Sequence, residues 1–376
     1  MTSALHSEYI IDGITQGLTP AQILDRCMAV GQSEDYGLAF DPVADETLDP
    51  SPSAGQYDSW KVQDYMEEVM EAHPRGFSFP FSAQVTKLKI AHALTATLCS
   101  GGHFRLGNLA LSLRWRWNFN DIGSHAAFYA SVAAAGEYID SLGLRVASYS
   151  LDEVSGAAPS ESLCGLEVSI VVDSAPDDDF IDELFRVEDP VVEKTIYQLL
   201  ISPDPDSWIV YVPMESSDYR LGGSLLSDVE GQSGTLAPDL TDPDYFIDVY
   251  EVVREMVEDR VPLSVQSVSS GGLMAALGEM TAETGARINI ASLMKSTGEQ
   301  DVVRTLFAEV PAVILQVRDE DFDYIDAEFT LQDVAFFPLG HPAPGRSGIK
   351  VETSDRGGLQ NILESLIRSQ SSEGED

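Results

Sequence analysis

Lysine is a residue this chain has little of. Six lysines and sixteen arginines stand against 62 aspartates and glutamates in 376 residues, a formal net charge of −40 at neutral pH. Such a field repels nucleic-acid phosphates and anionic lipid headgroups, so neither is an expected partner. Cysteine is scarcer still: Cys27, Cys99 and Cys164 are scattered and odd in number, which gives no zinc spacing and favours a reducing compartment. No apolar run approaches the roughly eighteen residues of a membrane span. Met1 to Ile14 carries acid but no Arg or Lys, unlike a mitochondrial leader. These absences lead to the expectation of a soluble, cytoplasmic protein.

What is present is an ordinary hydrophobic share, 44%, in a chain long enough to bury a sizeable core. The acid is clustered, over Asp173 to Asp189, Asp239 to Asp248, Asp319 to Glu328 and Glu373 to Asp376. A solvated, solubilising surface accounts for this; adaptation to high salt is the sharper alternative. Thr19-Pro20 predicts a helix start before Ala21 to Val30. Asp41 to Tyr57 reads as a loop, Trp60 to Ala72 as a short element and Ala83 to Cys99 as a helix.

Leu109 to Trp117 alternates as a strand, with three leucines and two tryptophans on one face and Arg114 and Arg116 on the other. Phe128 to Leu142 predicts a helix, and Leu166 to Val172 a buried strand. After Ser202-Pro203-Asp204-Pro205 come a strand over Trp208 to Val212 and an amphipathic helix over Tyr245 to Asp259. Its apolar positions, Phe246, Val249, Tyr250, Val253, Met256 and Val257, share one face. A strand over Val261 to Val268, a helix over Leu273 to Glu283, a strand over Ala312 to Val317 and a helix over Asp319 to Ala327 follow. A last helix is expected over Gly358 to Arg368. The pattern is of the α/β (α+β) class in two lobes: a lead segment 1–20, a first lobe 21–202, a second lobe 206–345, and a tail 346–376 ending in an acidic stretch.

Five short segments carry a resemblance. They are Ala91 to Leu98, Ser112 to Trp117, Leu142 to Val146, the strand and turn Ile209 to Leu225 ending in Arg-Leu-Gly-Gly-Ser, and Leu306 to Pro311, read Leu-Phe-Ala-Glu-Val-Pro. A sixth, Val268 to Leu273, holds the paired glycines Gly271-Gly272. In this order and spacing they resemble the C-terminal half of formylglycinamidine ribonucleotide (FGAM) synthase, a purine-pathway enzyme built from halves that look like aminoimidazole ribonucleotide (AIR) synthase. The resemblance implies a two-lobed AIR-synthase-like fold and pairing of such halves through the first-lobe sheet. It also implies an ATP-dependent, amidine-forming activity in the intact enzyme.

The resemblance breaks at the chemistry. Where the family carries Glu and Asn four apart on a helix for magnesium, this chain has His92 and Ala96; its paired-glycine segment has Ser267 and Ser270 where the family has acids. A hard cation wants oxygen ligands, and loss of supporting groups alone costs about 10 to 100-fold in affinity. The family's Gly-Lys-Asp-Ser loop corresponds to Ala147 to Leu151, without lysine. Asp58 could stand in for one acid of the first lobe. No catalytic residue, metal site or cofactor is therefore expected, only a weak anion site on the amides of Gly271, Gly272 and Leu273. His103 and His125 are lone histidines without ligand spacing.

The expected function is a catalytically degenerate, FGAM-synthase-like protein acting structurally or by regulation through protein contacts. The alternatives are a subunit of an ATP-dependent FGAM synthase and a module for a small purine-like ligand. Because the Leu109–Trp117 face is too apolar to leave wet, it is expected to pair with a second copy or a related chain.

Overall fold

Thr19 closes a capping box with Gln22 (Thr19 N to Gln22 Oε1 2.8 Å), and this fixes the chain's entry into its first α-helix. The computed structural model describes residues 3–28, 57–72, 76–100, 104–156, 163–172, 199–231 and 236–353. A small hairpin, β1 (Ile10–Ile11) and β2 (Ile14–Thr15), precedes that helix, α1 (Pro20–Arg26). Then come α2 (Val62–Glu71), α3 (Ser82–Cys99), β3 (Leu109–Trp117), α4 (Ser124–Ser141), β4 (Arg145–Glu153) and β5 (Gly165–Val172). β3 lies at the centre of a three-stranded sheet, parallel to β4 and antiparallel to β5.

The inner face of β3 is as apolar as expected, but it is covered from within the chain. Trp115 and Trp117 are fully buried. The indole of Trp115 donates to Ser131 Oγ (2.9 Å) and that of Trp117 to Ser124 O (3.0 Å), both on α4. Phe77, Phe79 and Phe128 ring Trp117 at 5.0, 5.6 and 5.6 Å between centroids. The expectation that this face pairs with another chain is therefore corrected: α3, α4 and the aromatic cluster occupy it. Two further expectations change. Ala147 to Leu151, read as a loop, is the middle of β4, where Ser148 meets Ser112 (2.7 Å). β5, read as buried, is an edge strand with only Leu166 fully buried.

The second half supplies β6 (Ser207–Pro213), α5 (Leu225–Val229), α6 (Pro243–Glu258), β7 (Ser264–Val268), α7 (Gly272–Met280) and β8 (Gly285–Asn289). It ends with α8 (Ala291–Thr297), α9 (Val302–Phe307), β9 (Ala312–Arg318), α10 (Asp319–Leu331), β10 (Phe337–Ala343) and β11 (Ile349–Glu352). The six strands order as β11-β8-β10-β6-β9-β7. Both faces are covered, so β9 is buried from Ala312 to Val317 without alternation. Val210, Val212, Val313, Leu315 and Val317 face one core, while Ile209, Tyr211 and Ile314 face the other with α7 and α9.

α6 buries the six apolar residues expected of it. It lies against α3 and α4, with Phe246 near Tyr138 (6.4 Å) and Tyr250 OH donating to Phe104 O (3.1 Å). The three-stranded sheet lies wholly before Ser202 and the six-stranded sheet wholly after Asp206, yet one hydrophobic core includes residues from both sides. Gln316 on β9 fastens the connection, bonding Ser202 N (2.7 Å), Ser202 O (2.9 Å) and Ser207 Oγ (2.8 Å). The loop expected over 41–57 lies, save its last residue, outside the described residues. So do the helix expected over 358–368 and the acidic runs 173–189 and 373–376.

Candidate functional site

Two glycine turns and a buried glutamate meet where α3 faces the ends of α5, α7 and α9. The first turn, Gly222-Gly223-Ser224, leads into α5, with Ser224 capping it. The second, Ser269 to Gly271, leads into α7. Gly272 has φ +68°, and a methyl group there would lie 2.7 Å from the Phe307 backbone, so only glycine allows α7 and α9 this approach. Val69 of α2 closes on Gly271 in the same way.

One carboxylate joins the two turns. Glu309, just past α9, accepts at Oε1 from the amides of Leu225 and Gly271, each at 2.8 Å, and the three residues are buried. Burial pushes its pKa up to about 7; the Leu225 and Gly271 amides and the charge of Lys89 pull the other way, and Asp228 adds to the rise. His92 on α3 bonds the Glu309 carbonyl through Nε2 (3.0 Å), and burial holds its pKa down to about 4. The imidazole is thus neutral at neutral pH.

The residues singled out in the sequence fall around this junction with unequal fates. Gly271 and Gly272 do open a helix, but the Gly271 amide is taken by Glu309 and the Gly272 amide by Ser269 O (2.9 Å). The anion at this turn is the chain's own side chain. Ala96, one turn beyond His92, is exposed. Ser267 lies within β7 opposite Val313, half-buried, and Ser270 is exposed. Asp58 pairs with Lys61 (3.6 Å). His125 packs against Phe119 (4.7 Å between centroids), and His103 lies outside the described residues. The three cysteines are buried and form no disulfide with one another.

The donor set does not suit a nucleotide-bound magnesium ion. An imidazole already bonded, a methyl group and two separated serine hydroxyls replace the oxygen ligands such an ion needs. Among the described residues no three His, Cys, Asp or Glu side chains are grouped as a metal site. The Oε1 of Glu309 accepts from both amides.

Sequence reading passed over Glu309, although it stands inside the Leu-Phe-Ala-Glu-Val-Pro segment. Its partners are 38 and 84 residues away, and only the fold brings them together. A second buried acid was missed as well. Glu215, after β6, accepts from Asp242 N (3.2 Å) at the start of α6, and burial pushes its pKa up to about 7. The outer face of the three-stranded sheet is polar. Arg114 pairs with Asp152 (2.6 Å), and with Arg116, Gly165, Leu166 and Glu167 they line an open hollow of about 340 Å³.

No protein-family model matches the chain. Among curated proteins it is similar to phosphoribosylformylglycinamidine synthase of Homo sapiens, 26% identical over 180 residues, covering 47% of this chain and 13% of that one. It is also similar to the probable chloroplastic/mitochondrial phosphoribosylformylglycinamidine synthase of Arabidopsis thaliana, 26% identical over 257 residues, covering 68% and 17%. Among solved structures it is similar to PurL of Thermotoga maritima complexed with FGAR, with a TM-score of 0.53 and 13% identity over 78% of this chain and 48% of that one. The chain thus spans less than a fifth of the curated relatives and about half of the solved one. Its α/β architecture is the AIR-synthase-like fold, and its sequence is similar to segments of the FGAM synthases.

Proposed function

We propose that this chain is a catalytically silent relative of the FGAM-synthase half, acting in the cytoplasm through protein contacts as a structural or regulatory partner. The observation that carries this reading is the make-up of the positions that the resemblance marks for magnesium, none of which holds a carboxylate. Beside them, Glu309 holds the amides of Leu225 and Gly271 at 2.8 Å. The neighbouring positions His92, Ala96, Ser267 and Ser270 supply no oxygen cluster for magnesium.

In this reading the lobe of residues 21–202 provides the contact surface and the lobe of 206–345 supports it. The contact surface is the outer face of the three-stranded sheet. Arg114 and Arg116 alternate there with Asp152 and Glu167, so the patch matches a second copy of itself or a related half better than an apolar partner.

Thermal melting with millimolar magnesium-ATP or magnesium-ADP tests the silent site. A ligand at 100 times its dissociation constant raises stability by about 2.7 kcal/mol. The expected outcome is no magnesium-dependent shift. A clear upward shift overturns the proposal and favours the reading as a subunit of an ATP-dependent synthase.

A further inference from the structure

Among the described residues β5 is a long sheet edge with nothing to protect it. Gly165–Val172 pairs with β3 without a break in register, and its other side has no partner strand. The remaining edges of the two larger sheets are shorter or partly closed. β7 has five residues and β11 four, with Lys350 exposed on β11. β4 carries a register shift against β3, and its Val146 amide is bonded to Cys27 O at 2.8 Å. Shortness, charge, proline and bulges are the means by which an edge is kept from pairing. β5 has eight residues, no proline, no bulge and a single charge, Glu167.

Its side chains divide by face. Leu166, Val168, Ile170 and Val172 stand opposite Trp115, Leu113, Leu111 and Leu109 on the inner face. The core covers them unequally: Leu166 is buried, Val168 and Ile170 are half-buried, and Val172 is 48% exposed. An apolar margin therefore runs beside the open backbone. Glu167 lies on the outer face and is exposed. Arg114, opposite it in register, is bonded to Asp152 at 2.6 Å, and Glu167 forms no ion pair among the described residues.

We propose that β5 is a docking edge for an extended, alternately basic and apolar segment of a partner protein, added to the sheet as a fourth strand. The proposal rests on the reading that this chain acts through protein contacts, and it names the partner's chemistry. The partner's amides and carbonyls bond those of β5. Its apolar side chains fall on the inner face, over Val168, Ile170 and Val172, and its basic ones fall on the outer face beside Glu167. Backbone pairing supplies the affinity, and the cross-strand contacts select the sequence. A basic segment is drawn in by the field of a chain of net charge −40, whereas a second copy brings the same charge with it.

Fluorescence anisotropy of a labelled, alternating Lys-Val peptide of the length of β5, titrated with the full chain at physiological salt, tests this. One comparison peptide keeps the charge but has two valines replaced by proline; another has glutamate in place of lysine. Saturable binding of the first peptide is expected, weakened roughly tenfold or more by the prolines, which bar extended pairing, and lost with glutamate. Val172→Lys and Glu167→Lys, both at exposed positions, are each expected to weaken binding by about threefold to tenfold, with the melting temperature unchanged. None of these results bears on the magnesium-nucleotide test, so the two readings fail separately. Equal binding of the proline peptide overturns the proposal, since charge attraction alone then holds the peptide. So does indifference to both variants, or no binding. Light scattering of the parent and Val172→Lys is expected to show the same assembly state; a parent dimer that Val172→Lys dissociates gives the edge to a second copy and overturns the proposal.

Discussion

The two sheets solve the problem of burial differently. The six-stranded sheet is covered on both faces, and β9 runs buried from Ala312 to Val317. The three-stranded sheet is covered on one face only, and β3 alternates buried Leu113, Trp115 and Trp117 with exposed Arg114 and Arg116. A sheet buried on both sides can host a site only at its strand ends, and that is where the glycine turns and Glu309 lie. A sheet covered on one side keeps a whole face for partners. The likeness to FGAM synthase draws attention to the first region, while the open polar surface belongs to the second.

The largest effect should separate the two faces of β3. Trp117→Ala empties a fully buried aromatic cluster and is expected to cost about 3–5 kcal/mol in denaturant unfolding. Arg116→Ala on the open face should stay within about 0.5 kcal/mol. Equal costs would mean that the outer face is also packed.

The second test concerns acid buried at the ends of the thick sheet. Glu309 and Glu215 have folded pKa values near 7, above the ordinary 4.5. Between these values the folded state binds more protons than the unfolded state, so stability is greatest below the lower pKa. It falls as pH rises through the window and stays low above 7. For Glu309 the full difference is on the order of 3 kcal/mol. Glu309→Gln, which cannot ionise, should flatten the decline between pH 5 and 8 and leave the remainder to Glu215. A variant that declines as steeply as the parent would show that Glu309 does not titrate in that range.

A smaller effect should come from Gly272→Ala. The methyl group meets the Phe307 backbone and the φ is positive, so about 2 kcal/mol of destabilisation is expected. Gly143→Ala, also at positive φ but with open space around it, should cost less, and the difference isolates the packing of α7 on α9. The smallest effect is that of salt. Raising NaCl from 0.1 to 1 M shortens the screening length from about 10 to 3 Å and should raise the melting temperature modestly. A flat response would remove the high-salt alternative.

Much of this fold was legible where burial is periodic. β3 declares itself by alternation, α6 by its 3.6-residue stripe, and α1 by Thr19-Pro20. β4 does not, because a strand with a face in water holds Ser148, Ser150 and Asp152 and looks like a loop; its evidence is across the sheet, in Ser112 and Arg114. β10 was missed because Pro338, Gly340 and Pro342 argue against a strand, and the register shifts between Pro338 and Gly340 to accommodate them. At the site, the absence of carboxylates at Ser267 and Ser270 could be read from the chain alone. The presence of Glu309 could not, since an acid becomes a clamp only when distant turns converge on it.

The position of α6 sets a timetable for the molecule's synthesis. The helix covers α3 and α4 from a place in the chain that ends at Glu258, 56 residues after Ser202. At about 5–20 residues per second, a ribosome takes roughly 3 to 11 seconds to make that stretch. During those seconds Tyr138 and its neighbours have emerged while Phe246 and Tyr250 are still to come. The nascent chain therefore carries an uncovered apolar face before it can finish folding, and a chaperone that binds such faces has its opportunity then.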